Sequence, residues 1–203
     1  MSPQLIRVAD VEPQMWRNGG GYTRELLAWP SIENWDLRIS VADVEADGPF
    51  SVFEGVERWL VLIAGQGIAL RLDGGERHLA PGDPPLRFDG ASAPDCRLLA
   101  GATRDLNLMV RRGHGVMRPV QPGRPWDEQL AMRGVFTATP GRWTGDGESR
   151  SLPAMTLFWM EHSNVRDSAG WTFHRDGRAD SHQAPTDAWW LGFTSDQSSQ
   201  IDS

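Results

Sequence analysis

Ten residues from Trp16 to Glu25 read Trp-Arg-Asn-Gly-Gly-Gly-Tyr-Thr-Arg-Glu, a compact run of polar groups around three consecutive glycines. Two guanidiniums (Arg17, Arg24), an amide (Asn18), a hydroxyl (Thr23) and a carboxylate (Glu25) lie beside a flat aromatic ring (Trp16). Forked guanidiniums hold carboxylates and phosphates through charge-assisted hydrogen bonds, while amides and hydroxyls orient what is held. Gly19, Gly20 and Gly21 permit positive φ and let a ligand or a second strand come close. The run also reads as a glycine-rich hairpin or bulge pinned by its own side chains, and its residues alone do not separate the two readings. It is not a phosphate loop, because Gly-Lys-Ser/Thr is missing and no convincing helix follows. Glu25 is expected to pair with an arginine, since an anionic ligand would repel it.

Other chemistry is sparse. His78, His114, His162, His174 and His182 are scattered, with no His-x-His pair, so no metal-ligand spacing is present. Cys96 is the only cysteine, which excludes an intrachain disulfide and a cysteine metal cluster; it reads as a buried structural thiol. No Gly-x-Ser-x-Gly elbow occurs. The expectation is no catalytic residue, no metal and no cofactor.

The elements that must position the polar run are strands. Leu37-Arg38-Ile39-Ser40-Val41 alternates apolar and polar, which puts Arg38 and Ser40 on one face. Asp105 and Asn107 alternate in the same way. Trp59–Ile63 is a continuous apolar run and reads as a strand buried on both sides. Turns at Gly65–Gly67, Asp73–Gly75 and Pro81–Pro85 separate further short strands, a meander that argues for an all-β barrel or sandwich. From about residue 111 the pattern weakens. Segment 111–129 reads as a connection, Trp126–Met132 as a short helix, and Met132–Ala138, Arg150–Ser151 and Met155–Met160 as further strands. The aromatic cluster Trp189, Trp190, Leu191 and Phe193 is expected to dock, with a polar tail after it.

The chain has 203 residues, enough for one large β domain or two small ones. A net charge of -7 makes nucleic acid or an anionic membrane a poor partner. All 20 basic residues are arginine, so any anion pocket must use guanidiniums. Ten tryptophans stand against one tyrosine, which is mostly core or interface material. The N-terminus lacks the layout of a signal peptide and no apolar run has membrane-spanning length, so a cytoplasmic location is expected.

Several motifs occur together in order: Trp16–Gly21, Thr23-Arg24-Glu25, Leu37–Ser40, Asp47-Gly48-Pro49-Phe50-Ser51, Phe53–Gly55, Arg58 and Arg104–Asn107. Over residues 14–112 they resemble the HutD/Ves family, cupin-like β proteins often described as bicupins and found beside histidine-utilisation genes. The resemblance implies a cupin-like antiparallel β-barrel, with residues 1–112 as a first half, 113–193 as a second half closing a bicupin, and 194–203 as a mobile tail. Cupin metal sites use histidines before the first turn; here the stretch Asp47–Arg58 has none. The resemblance therefore implies a metal-free pocket for a small anionic intermediate of histidine breakdown, such as formylglutamate or urocanate, in an accessory or regulatory role, with a homodimer possible. Arg58, near where a cupin places its metal ligands, would clamp the carboxylate; its alternative is a salt bridge to Glu57 or Glu54. Arg38, Ser40, Asn18, Thr23 and Arg24 would orient the ligand. Trp16, Phe50 and Phe53 would form the walls, and Asp105 and Asn107 would hold the arginines in place. Two rival readings are a metal-independent enzyme, isomerase or hydrolase, using Glu57 or Asp105 as base, and a protein-interaction module using exposed aromatics near Trp189.

Overall fold

The computed structural model describes residues 3–72, 74–121, 123–162, 170–177 and 187–195. They form two compact units, one of Val11–Arg112 and one of Met1–Asp10 with Gly113–Ser203. The first strand, β1 (Gln4–Arg7), belongs to the latter. No helix among the described residues is long and apolar enough to cross a membrane.

The unit Val11–Arg112 contains β2 (Gln14–Met15), β3 (Gly21–Trp29), β4 (Leu37–Val44), β5 (Gly48–Pro49), β6 (Glu57–Ala64), β7 (Ile68–Leu72), β8 (Gly75–Leu79), β9 (Leu86–Asp89), β10 (Asp95–Leu98) and β11 (Thr103–Val110). One antiparallel sheet has the order β2-β3-β4-β11-β6-β9 and the other β5-β10-β7-β8. Their facing sides share an apolar cluster in which Val44, Leu60, Leu62 and Phe88 of the larger sheet meet Ile68, Leu70, Leu79 and Cys96 of the smaller. Burial pushes the Cys96 thiol up to about 12, helped by the negative charges of Asp105 and Asp47, which suits an inert core thiol.

Strand alternation divides the larger sheet. On β4 the residues Leu37, Ile39 and Val41 share a face with Leu106 and Leu108 of β11, and all are buried. The other face carries Arg38 and Ser40, Asp105 and Asn107, and Arg58. The register places Ser40 opposite Asn107 and Arg58 opposite Met109. The polar residues thus form one band across three adjacent strands, on the side that also carries Leu60 and Leu62.

The glycine run is the tight connection from β2 to β3. Trp16 and Gly21 pair through their backbones, and Asn18 Oδ1 accepts from the Gly20 amide at 3.0 Å. Gly21 lets β3 approach β4: a Cβ there would lie 2.1 Å from the Asp43 carbonyl oxygen. Gly21→Ala should therefore destabilise the protein by about 1–3 kcal/mol, as overpacking does. Gly74→Ala, where an added Cβ meets nothing within 4 Å, should stay within about 0.5 kcal/mol in the same urea titration. Equal midpoints for the two variants would contradict this account of the close approach.

The second unit adds β12 (His114–Pro119), β13 (Met132–Thr137), β14 (Gly141–Gly145), β15 (Glu148–Leu152), β16 (Thr156–Glu161), β17 (Thr172–Arg175) and β18 (Ala188–Thr194). Its sheets have the orders β1-β16-β13-β18-β12 and β15-β14-β17. Trp126, Trp143, Trp171 and Trp190 pack there with Val135, Phe158 and Phe173. The six strands β13–β18 pair among themselves as β6–β11 do: first with fourth and sixth, second with third and fifth.

Three expectations for this half need correction. Trp126–Met132 is not a helix: Trp126 exchanges backbone hydrogen bonds of 2.7 and 2.8 Å with Trp171, and its ring stacks on Trp190 at 5.3 Å. The segment 111–129 is not merely a connection, because it holds β12. Trp189, Trp190 and Phe193 are buried within β18, so no exposed aromatic patch exists there. Of the expected tail 194–203, Thr194 ends β18, while residues 196–203, like His182, lie outside the described residues.

Candidate functional site

A cavity of about 700 Å³ opens in the unit Val11–Arg112, lined by the polar band, the β2–β3 turn and the segment Pro49–Phe53. Arg58 lies in it, only 6% exposed. Its Nη2 donates to Asn107 Oδ1 at 3.3 Å and its Nη1 to the Ser51 carbonyl at 3.4 Å, while its Nε has no acceptor. The rings of Phe50, Phe53 and Phe88 lie 5.3, 5.6 and 5.0 Å from the guanidinium carbon. The expected alternative, a salt bridge to a rim acid, does not form: Glu57 instead pairs with Arg87 and accepts from Trp59 Nε1 at 2.9 Å. Burial lowers the Arg58 pKa to about 10; Asp105 pulls it up and Arg38 pushes it further down. The group stays charged at neutral pH, held by two long hydrogen bonds and three rings.

Behind Arg58 stands Asp105, fully enclosed. It accepts from Asn107 Nδ2, so Asn107 bridges the cation and the acid. Burial raises the Asp105 pKa to about 7, against the Asn107 hydrogen bond and the Arg58 charge, and the negative charge of Asp43 adds to the rise. Near neutral pH this carboxyl is poised between its two forms.

Arg38 reaches the cavity from β4 and pairs through Nε with Glu25 at 2.6 Å. Ser40 is buried beside it. Thr23 Oγ1 accepts from Trp16 Nε1 at 2.8 Å, which fixes the ring as a wall. Asn18, Phe50 and Phe53 complete the set expected from sequence. Arg24 does not join it. Between inward Thr23 and Glu25, its side chain takes the opposite face and pairs with Asp43 at 2.6 Å. Arg104 grips the other oxygen of Asp43 at 2.5 Å. Burial alone would raise Asp43, but these two arginines bring it below the usual carboxylate range.

Sequence reasoning did not assign Gln14, Met15, Arg17, Ala42, Pro49, Ser51, Val52 or Met109 to the site. Ser51 contributes only a backbone carbonyl, which no residue type could signal. Met109 shares the two-residue period of Asp105 and Asn107 and could have been found from it.

The lining residues supply one carboxylate, Asp105, and no imidazole or thiolate. No group of three or more His, Cys, Asp or Glu able to hold a metal occurs among the described residues. Divalent ions need several such donors, and the three guanidiniums of Arg17, Arg38 and Arg58 in the lining oppose them. The residues do not fit the metal that cupin sites carry.

The family model described as HutD matches residues 8–176. An uncharacterized 21.2 kDa protein in the hutC 3' region of Pseudomonas putida is 39% identical over 109 residues, which span 52% of this chain and only 57% of that protein. Protein Ves of Cronobacter sakazakii is 28% identical over 163 residues, 80% of this chain and 90% of its own length. The solved structure of HutD from Pseudomonas fluorescens SBW25, in a formate condition, superposes with a TM-score of 0.79 at 25% identity, covering 96% of this chain and 99% of that one. Bacillus subtilis oxalate decarboxylase, a cupin, is alike in fold alone, with a TM-score of 0.59 at 11% identity over 97% of this chain and 78% of that one.

Proposed function

This chain belongs to the HutD family, and on that premise we propose that its cavity binds the carboxylate of a small metabolite of histidine degradation, of the formylglutamate or urocanate kind. The protein acts in this reading as an accessory or regulatory component of histidine utilisation. One observation carries it: the buried guanidinium of Arg58, bonded only to Asn107 and the Ser51 carbonyl, lacks an ion-pair partner among the described residues and has an unused Nε–H. A carboxylate arriving there restores the missing charge and acceptors, and charge-assisted bonds of this kind are about twice as strong as neutral ones. Arg38, already neutralised by Glu25, orients the rest of the ligand rather than supplying net charge. Ser40, Thr23 and Asn18 offer hydroxyl and amide groups along the wall.

A second reading is favoured by the same Asp105. A carboxyl with a pKa of about 7 inside a cavity is suited to general-base catalysis without a metal. Glu57 drops out of that role, being engaged by Arg87 and Trp59.

A thermal-shift panel on chelator-treated protein separates these readings. Formylglutamate, urocanate, formate, glutamate and histidine are compared, since a ligand that binds only the folded state raises the melting temperature. A saturable rise with one carboxylate, without consumption of the compound, is the expected result. No rise with any of them would remove the binding reading. Consumption that ceases in Asp105→Asn would replace it with the enzyme.

A further inference from the structure

A second buried guanidinium occupies the matching place in the repeated pairing scheme. Arg133 is the second residue of β13, as Arg58 is the second of β6. Arg58 faces Phe88 on β9 and Met109 on β11; Arg133 faces Met160 on β16 and Gly192 on β18. Arg133 has no exposure at all. Its guanidinium carbon lies 4.3 Å from the Trp171 ring and 4.8 Å from the Trp126 ring, and its Nη2 donates to the Trp126 carbonyl at 3.0 Å. Nε and Nη1 have no acceptor.

Neighbouring polar groups are unpaired as well. The Trp126 indole N–H and the His162 Nε2 are also buried without a hydrogen-bond partner. His162 lies 5.7 Å from the Trp171 ring and is held to its neutral form by burial and by the nearby charge of Arg133. Asp146 already accepts from the Trp171 indole at 2.9 Å. Burial lowers the Arg133 pKa to about 10 while Asp146, Asp127 and Glu128 pull it up, so the group is charged at neutral pH. A buried cation with two unpaired N–H groups is strongly unfavourable unless an acceptor joins it, and no carboxylate among the described residues pairs with Arg133 directly.

We propose that the second unit carries its own anion site, in which Arg133 holds a small monovalent anion the size of formate, nitrate or chloride. Water would supply acceptors but no charge; an anion supplies both. Size follows from the packing. At Gly192, opposite Arg133, an added Cβ would meet Leu130 Cδ1 at 2.1 Å and the Trp126 ring at 3.2 Å. Leu130 and Trp126 pack tightly at Gly192, and the Trp126 and Trp171 rings flank the guanidinium, unlike the open cavity at Arg58. The guest is therefore a structural counter-ion of the core rather than a metabolite, and the assignment stands independently of what Arg58 binds.

Indole resonances report on this site directly. The whole chain, labelled with nitrogen-15 and exchanged into a buffer with only bulky anions, is titrated with formate, nitrate and chloride at constant ionic strength. The Trp126 and Trp171 indole cross-peaks should move saturably, should do so equally in Arg58→Met, and should not move in Arg133→Met. Peaks that stay still with all three anions, or that move without saturating, would overturn the site, as would a shift retained in Arg133→Met. If Arg133→Met fails to fold, the melting temperature of Arg58→Met decides instead. A rise with the logarithm of anion concentration supports the site, and indifference to the anion overturns it.

Discussion

Arg58→Met is expected to abolish carboxylate binding while leaving the ligand-free protein as stable as the parent or more so. The two effects have one cause. In the empty cavity the guanidinium is desolvated, holds two hydrogen bonds of 3.3 and 3.4 Å and leaves Nε–H unpaired. Replacing a whole buried ion pair by apolar volume is often neutral or stabilising by about 1–4 kcal/mol, and Arg58, with no ion-pair partner among the described residues, carries the desolvation cost without the pairing gain. Methionine also suits a niche walled by Phe50, Phe53 and Phe88. Loss of a buried charged partner, by contrast, costs a ligand about 2–5 kcal/mol, on the order of 30- to 5,000-fold in affinity. Calorimetric titration and urea unfolding of the same preparation measure both quantities. A variant that binds as tightly as the parent would remove Arg58 from the site. One that loses several kcal/mol of stability would make Arg58 a structural residue. The expected pattern, function lost and stability kept or gained, is that of a residue retained for its ligand.

Asp105→Asn should make stability less dependent on pH. Folding raises the Asp105 pKa from an ordinary 3.8 to about 7, so the folded state keeps this proton longer than the unfolded chain. Its stabilising contribution is fully present below about pH 4, falls as pH rises, and is lost above about pH 7, a change on the order of 4 kcal/mol. Asparagine resembles the protonated acid and does not titrate. Parent and variant should therefore be nearly equally stable in acid, with the variant pulling ahead toward pH 8. Taking the difference between the two removes the titration of every other group. The ionised acid also competes with a bound carboxylate for Arg58, so affinity in the parent should weaken as pH passes about 7 and hold steady in the variant. A parent–variant difference that does not change with pH would show Asp105 to be ionised throughout.

Much of the site was legible because strand alternation is local. Arg38 with Ser40 and Asp105 with Asn107 each declare a shared face by spacing alone. What spacing cannot say is which faces meet, and that depends on the register of β4 against β11, set by the pairing of distant segments. Arg24 was misplaced although the same alternation, applied to Thr23 and Glu25, points it the other way. The fold was clearest where buried runs and glycine turns alternate, from Leu37 to Val110. It was least clear where glycine does a strand's work. In Gly141–Gly145 the inward positions are Gly141, Trp143 and Gly145, so two of three lack a side chain to mark the pattern. Trp126 and Leu130 mimic a helix because both enter one core cluster from positions four apart, whereas the backbone at Trp126 bridges to Trp171. The apolar cluster Trp189, Trp190, Leu191 and Phe193 docks into the core, as its composition suggests.

The cavity is built of two materials with different freedom to vary. Its floor, Arg58 with Asn107 and Asp105, lies on strands whose neighbours are packed on both faces, where most substitutions carry a heavy penalty. Its mouth includes Met15, 66% exposed, and Val52, 59% exposed, both outside the buried core. Descent with modification can therefore redraw the entrance while the charge at the bottom is inherited. Relatives sharing the arginine floor need not share a ligand, and a guest identified for one member transfers to another only as far as these two rim positions agree.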